Sequence, residues 1–141
     1  MLVWRVAHNE IEHKHFPAGP YACWESLPED VYDALSKMHN AHCDVNHPSP
    51  YSYYSGLYGI RPEERCGFNS REALYEWFAN YTEMLDANGF RVFVYDVPDF
   101  AVQVGELGQV VFTAYEAIEK SREDLDLSPS QISLFEMEHS C

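Results

Sequence analysis

Residues 66–112, CGFNSREALYEWFANYTEMLDANGFRVFVYDVPDFAVQVGELGQVVF, switch from helix-period to strand-period patterning, and that switch decides the fold. Ser70 is a suitable N-cap after a Cys66-Gly67-Phe68 turn, and Leu74, Trp77, Phe78, Tyr81 and Leu85 recur at the three- and four-residue spacing of one helical face. Asn88-Gly89 supplies a left-handed stop. Beyond it, 90–97 alternates as a strand, Pro98 turns the chain, 102–104 makes a short strand, and Gly105 turns it again into a strand over 109–115. Short connections between successive strands predict antiparallel pairing. The pattern predicts an α+β fold: a single compact domain with a small, mostly antiparallel sheet, two main helices and a long Pro/Tyr-rich loop.

The flanking segments extend this plan. Residues 2–8 alternate around Val3, Trp4 and Val6, giving a first strand with Leu2, Trp4 and Val6 on one face and Val3, Arg5 and Ala7 on the other. If the first face is the core, Arg5 points away from it. Ser26-Leu27-Pro28-Glu29 has the spacing of a capping box, and Val31, Ala34, Leu35 and Met38 then mark one face of a helix. From 43 to 66 the chain is rich in Pro, Gly and Tyr, with Tyr51, Tyr53, Tyr54 and Tyr58 close together. That composition breaks helices and predicts a long ordered loop, a kind of segment that in compact domains binds or covers something. Beyond Tyr115 a polar helix is expected to give way to an acidic tail, so the domain is placed at 1–120 and the tail at 121–141.

Composition bounds the function. The chain has 141 residues, is 46% hydrophobic, and carries 23 acidic against 9 basic residues for a formal net charge of −14. A chain of this size can bury a core without staples, and its four cysteines, with no CxxC pair, read as reduced thiols. No apolar run approaches a membrane span and the N-terminus lacks a signal-peptide pattern, which predicts a soluble cytoplasmic protein with no membrane contact. The negative field repels phosphate backbones, so direct nucleic-acid binding is not expected, and it favours a partner with a basic surface.

Two clusters could carry chemistry. His39, His42, Cys43 and His47 offer the nitrogen and sulfur ligands that zinc prefers, although their spacing matches no standard site and His42 also continues the apolar stripe of Met38. Cys66, next to Arg65 and close to a helix start, has surroundings that could favour a thiolate nucleophile.

Trp4-Arg5-Val6 on the first strand, Cys66-Gly67-Phe68-Asn69-Ser70 leading into a helix, and the later strands 93–97 and 109–112 together resemble the ADP-ribosyltransferase-like fold. The resemblance implies NAD as cofactor, a pyrophosphate or ribose role for Arg5 and a supporting role for Ser70. The family's catalytic glutamate would fall at Val111, leaving Glu106 or Glu116 as substitutes. The size, the acidic balance and the Pro/Tyr-rich middle also resemble small accessory proteins of bacteriophages, including those that block host defences.

The leading expectation is therefore an acidic protein-binding module: a phage-type inhibitor or modulator of a host defence or nucleic-acid-binding protein, working in the host cytoplasm without a cofactor. Its contacts would come from an acidic face and from Tyr51, Tyr53, Tyr54 and Tyr58. An ADP-ribosyltransferase-like enzyme, or a degenerate relative that only binds NAD, is the alternative, with Arg5, Ser70 and Glu106 at its centre. A nucleotide-signal sponge with a cationic pocket of Arg5, Arg61, Arg65 and Arg91 is the third.

Overall fold

The computed structural model describes residues 1–22 and 27–126. The α+β architecture is as expected. Six strands form one antiparallel sheet in the order β6-β7-β4-β1-β5-β8, built from β1 (Leu2–His8), β4 (Glu64–Phe68), β5 (Phe90–Asp96), β6 (Val102–Val104), β7 (Gln109–Thr113) and β8 (Ile118–Glu123). A two-stranded ribbon, β2 (Glu12–His13) with β3 (Phe16–Pro17), lies apart from it. The helices are α1 (Glu29–Ala41), α2 (Arg71–Trp77) and α3 (Thr82–Ala87).

Both faces of the sheet are covered, so its central strands are apolar on both sides rather than alternating apolar with polar. On one face, Val6, Phe68, Phe90 and Val92 pack under the three helices through Leu35, Met38, Leu74, Trp77, Phe78 and Leu85. On the other, Val3, Ala7, Phe93, Tyr95, Val110 and Phe112 form a second core, on which Phe16 of the ribbon packs. This corrects the reading of β1. Arg5 shares the second face with Val3 and Ala7, and is buried at 5% exposure rather than turned to solvent.

Three other expectations change. The glycine turn at 66–68 is the inner strand β4, and Gly67 is needed there because a Cβ would stand 2.7 Å from Val3 Cγ1 and 2.9 Å from the Trp4 carbonyl oxygen. The single helix expected after Ser70 is two, because Asn80 takes a left-handed backbone (φ 77°) between them. The apolar stripe survives the break because both short helices face the same core. Finally, the polar helix expected beyond Tyr115 is β8, which pairs with β5 from Asp96 opposite Ile118 to Val92 opposite Glu123. It carries the sheet across position 120, and Leu125 is buried just after it.

α1 starts at Glu29 behind Pro28 with no side-chain cap bond. Ser26 of the expected capping box, Cys23, and the acidic tail from 127 onward, with Glu136, Glu138 and Cys141, lie outside the described residues.

Candidate functional site

A cleft of about 990 Å³ opens between the sheet, the C-terminal end of α1 and the loop that follows it. It exists because β1 and β4 share a single register pair, Trp4 opposite Phe68. Past that pair the Cys66 carbonyl accepts from a side chain, Arg5 Nη1, at 2.7 Å. Arg5 Nη2 donates to the Pro17 carbonyl at 3.1 Å, so one guanidinium ties β1 to β4 and to the ribbon. Gly19 lets it fit, since a Cβ there would lie 3.1 Å from Nη2.

The charges of the cleft oppose those of the chain. Among the described residues, four basic side chains, Arg5, Lys14, Arg61 and Arg65, line it against two carboxylates, Asp44 and Glu64. Glu64 is engaged by Arg61, through a 3.6 Å ion pair and a 2.9 Å bond from the Arg61 amide. Asp44 lies 2.8 Å from His47 Nδ1, and that bond holds its carboxyl below the usual range. Among the described residues Arg65 donates only to carbonyls, those of Pro62, Glu64, His13 and Lys14. Neither Arg5 nor Arg65 has an ion pair among the described residues. Their guanidinium carbons lie 5.8 and 5.5 Å from the Phe16 ring centroid, and burial together with the Arg5 charge lowers the pKa of Arg65. Two residues of the lining each carry a buried polar atom with no partner among the described residues, Arg5 Nε and Gln109 Oε1.

The opposite wall is aromatic. Tyr21 lies 2.6 Å from His42 Nδ1 and accepts from Trp77 Nε1 at 3.0 Å. Burial raises the Tyr21 pKa, so the phenol keeps its proton, and it donates to His42 in the tautomer whose Nδ1 is unprotonated. Burial and the neighbouring His47 push His42 down to about 4. The His42 and His47 rings stack at 4.0 Å, and His47 Nε2 bonds to the Trp77 carbonyl at 2.9 Å. All four residues named for zinc line the cleft, and the ring nitrogens of two of them are committed, His42 to Tyr21 and His47 to Asp44 and the Trp77 carbonyl. Cys43 donates to the His39 carbonyl at 3.3 Å. Among the described residues, no group of three or more His, Cys, Asp or Glu is placed to hold a metal ion.

Of the transferase set, Arg5 lines the cleft while Ser70 and Glu106 lie outside the lining. Ser70 Oγ accepts from the Ala73 amide at 3.1 Å as the α2 cap. Glu106 sits exposed in the turn between β6 and β7. Cys66 Sγ lies 3.8 Å from Arg5 Nη1. Arg91 is turned elsewhere, onto Asp86 and Asp124.

The loop beside the cleft displays the four tyrosines. Tyr51, Tyr53, Tyr54 and Tyr58 are 71%, 93%, 78% and 94% exposed. The backbone beneath them is held from within. The Ser52 side chain caps a 3-10 turn at Tyr53–Ser55, Ser55 Oγ donates to the Ser52 carbonyl and accepts from the Leu57 amide, and the Gly59 amide bonds to the Pro50 carbonyl. Buried Ser55 and Leu57 anchor the loop against Gly105, where a Cβ would stand 2.4 Å from the Ser55 carbonyl oxygen.

Sequence reasoning did not find Gln109, Tyr21 or Trp77 as site residues. Trp77 and Gln109 were read as parts of a core helix and a strand, and nothing in the local pattern marks Tyr21.

The chain belongs to the bacteriophage T4 Y00F protein family, whose model matches residues 1–126, a span that includes the whole described sheet and the cleft. No curated protein and no solved structure matches it. No helix among the described residues is long and apolar enough to cross a membrane.

Proposed function

We propose that this phage-family protein is a binding module that docks on a basic surface of a host protein and modulates it, with the tyrosine loop as the contact. The observation that carries the reading is the exposure of Tyr51, Tyr53, Tyr54 and Tyr58 on a loop already ordered by its own hydrogen bonds. Tyrosine gives large contact area for little lost side-chain entropy, and a pre-ordered loop avoids the further cost of freezing a backbone on binding. Tyr51 also helps to hold the loop, its hydroxyl donating to the Ile60 carbonyl at 3.0 Å, which leaves Tyr53, Tyr54 and Tyr58 as the rings most available for contact.

The charge fits the same reading. The outer surface of the helical layer exposes Glu29, Asp30, Asp33, Glu72, Glu76 and Glu83 against Lys37 and Arg71. Such a face speeds encounter with a basic partner and repels nucleic acid itself. A host defence protein or nucleic-acid-binding protein has the complementary surface. The transferase alternative would need Arg5, Ser70 and Glu106 around one ligand, and Ser70 and Glu106 lie off the cleft that holds Arg5.

The test is capture from a bacterial host lysate at low and high salt, with NAD consumption followed in the same mixture. The reading expects a stoichiometric partner that is lost at high salt and lost when Tyr53 and Tyr54 are changed to Ala, with NAD intact. A partner retained by the Tyr53→Ala/Tyr54→Ala double variant would overturn the contact assigned to the loop. NAD loss with a partner gaining the mass of ADP-ribose would replace the binding module with an enzyme.

A further inference from the structure

We infer that the cleft between β1, β4 and the α1 end is a binding site for a nucleoside diphosphate or a closely similar ring-bearing anion, whose charged group lies against Arg5 and Arg65 and whose ring lies against the Tyr21, His42 and Trp77 wall.

Three independent observations converge there. The first is charge. Both carboxylates of the lining are already engaged, Glu64 by Arg61 and Asp44 by His47, so the positive charge of Arg5 and Arg65 is unmatched among the described residues. Taking a guanidinium out of water without a counter-ion is unfavourable, and Arg5 is 5% exposed. Two arginines flanking one Phe16 ring also repel each other. A bound anion removes both penalties, and arginine is the side chain suited to planar, two-point capture of phosphate.

The second observation is the pair of unsatisfied polar atoms. Buried donors and acceptors are nearly always paired, and an unpaired one on a cavity wall marks where a ligand or water bonds. Arg5 Nε is a donor and Gln109 Oε1 an acceptor without a partner among the described residues; both atoms are themselves shielded from solvent, but their residues line this cleft, so a small side-chain shift brings them to a ligand. A nucleotide carries phosphoryl oxygens for the first and hydroxyl or amino donors for the second. A simple inorganic anion offers little to the acceptor.

The third is shape and composition. The cleft volume lies within the range of small-ligand pockets, and its far wall is a connected set of rings held by Tyr21, which bonds to both His42 and Trp77. The aromatic wall offers an apolar surface against which a heterocyclic base can pack.

The net charge of −14 works against any anion, and distance decides which effect wins. The carboxylates on the outer helical surface are screened over about 8 Å at physiological ionic strength, whereas a ligand in the cleft touches Arg5 and Arg65 in a partly desolvated setting where screening is weak. The local charge therefore governs affinity, and the remote field slows entry.

The experiment is isothermal titration of the full chain with each of the four common nucleoside diphosphates, with a nucleoside alone and with inorganic pyrophosphate alone. At least one diphosphate should bind more tightly than both of its parts. Arg65→Ala should weaken it at least tenfold with little change in the urea midpoint, because Arg65 bonds only to exposed or half-exposed carbonyls. Arg91→Ala should leave binding unchanged, since Arg91 is spent on Asp86 and Asp124. Failure of every diphosphate at millimolar concentration overturns the inference. So does binding that Arg65→Ala leaves intact, and so does pyrophosphate binding as tightly as any diphosphate, which would leave the aromatic wall without a role. The tyrosine-loop reading is tested apart from these results by Tyr53→Ala, because Tyr53 lies outside the cleft lining whereas Tyr54 is part of it.

Discussion

Arg5 Nη1 donates to the Cys66 carbonyl at 2.7 Å, so a side chain replaces the backbone ladder at the point where β1 and β4 part. The same guanidinium reaches the Pro17 carbonyl and holds the ribbon against the sheet. The cleft is the consequence, since a continued ladder would close the gap. Replacing Arg5 with Met keeps the length of the side chain and strips both carbonyls of their donor. Each carbonyl left without its donor costs about 1–3 kcal/mol and removal of an unmatched buried charge offsets part of that, so Arg5→Met is expected to destabilise the fold by about 1–2 kcal/mol in urea unfolding, with Arg5→Lys between it and the parent. Equal stability of Arg5→Met and the parent would mean that the guanidinium bonds contribute nothing net.

Gly105 is where the tyrosine loop meets the sheet. A Cβ at this position would stand 2.4 Å from the Ser55 carbonyl oxygen and 2.6 Å from Leu57 Cγ, and the first of these is backbone that cannot turn aside. Gly105→Ala is therefore expected to push the loop off the sheet at a cost of about 1–3 kcal/mol. Limited proteolysis provides the local readout: cleavage near Tyr53–Ser55 should appear in the variant well below its unfolding midpoint. Cleavage at the same rate in both proteins would show that the loop is not held by this contact.

The sequence showed most clearly what depends on nearest neighbours. β1 and β5 were legible because their β-branched and aromatic runs have strand period, and the stop at Gly89 because its left-handed backbone needs glycine. β4 was not, because Gly67 reads locally as a turn and its real cause, contact with Val3 and Trp4, comes from residues more than sixty positions away. β8 was missed for a different reason. Ile118-Glu119-Lys120-Ser121-Arg122-Glu123 is an exposed edge strand whose charges discourage pairing with another chain, so it has no apolar period to read. The cleft was legible only in fragments: Arg5, Arg61 and Arg65 were named together, but Arg91 was wrongly added to them, and Gln109 and Tyr21 join only once the sheet has formed.

Ser70 distinguishes a structural from a chemical role. Its hydroxyl caps α2, a helix of seven residues with few bonds of its own, through the Ala73 amide at 3.1 Å. Ser70→Ala is expected to cost about 1 kcal/mol and Ser70→Asp to restore most of it, because aspartate caps equally well and adds charge at the positive end of the helix. Ligand binding in the cleft should be unchanged in both. A loss of nucleotide binding in Ser70→Asp without loss of stability would instead place this residue at the ligand.

His42 sets the acid limit of the fold. Its pKa falls from 6.5 to about 4 because burial and the adjacent His47 oppose its charge, with Asp44 pulling weakly the other way. In the tautomer with Nδ1 unprotonated, Tyr21 donates to that nitrogen, a bond that protonation of Nδ1 would break. The unfolded chain takes up a proton as pH drops below 6.5, while native His42 refuses it until about 4. The stability associated with neutral His42 is therefore complete above 6.5 and is lost as pH falls toward 4. After allowance for solvent screening the loss is on the order of 1 kcal/mol by pH 5. His8, whose pKa burial also lowers, adds to the same slope. His42→Gln keeps an acceptor for Tyr21 and removes the titration, so urea midpoints measured between pH 7.5 and 5 should fall less steeply in this variant than in the parent. Working above pH 5 keeps most carboxylates ionised, and any relief of the repulsion from the net charge is nearly common to both proteins and cancels in the comparison. Parallel pH curves for the two would show that the Tyr21–His42 bond does not hold the imidazole neutral.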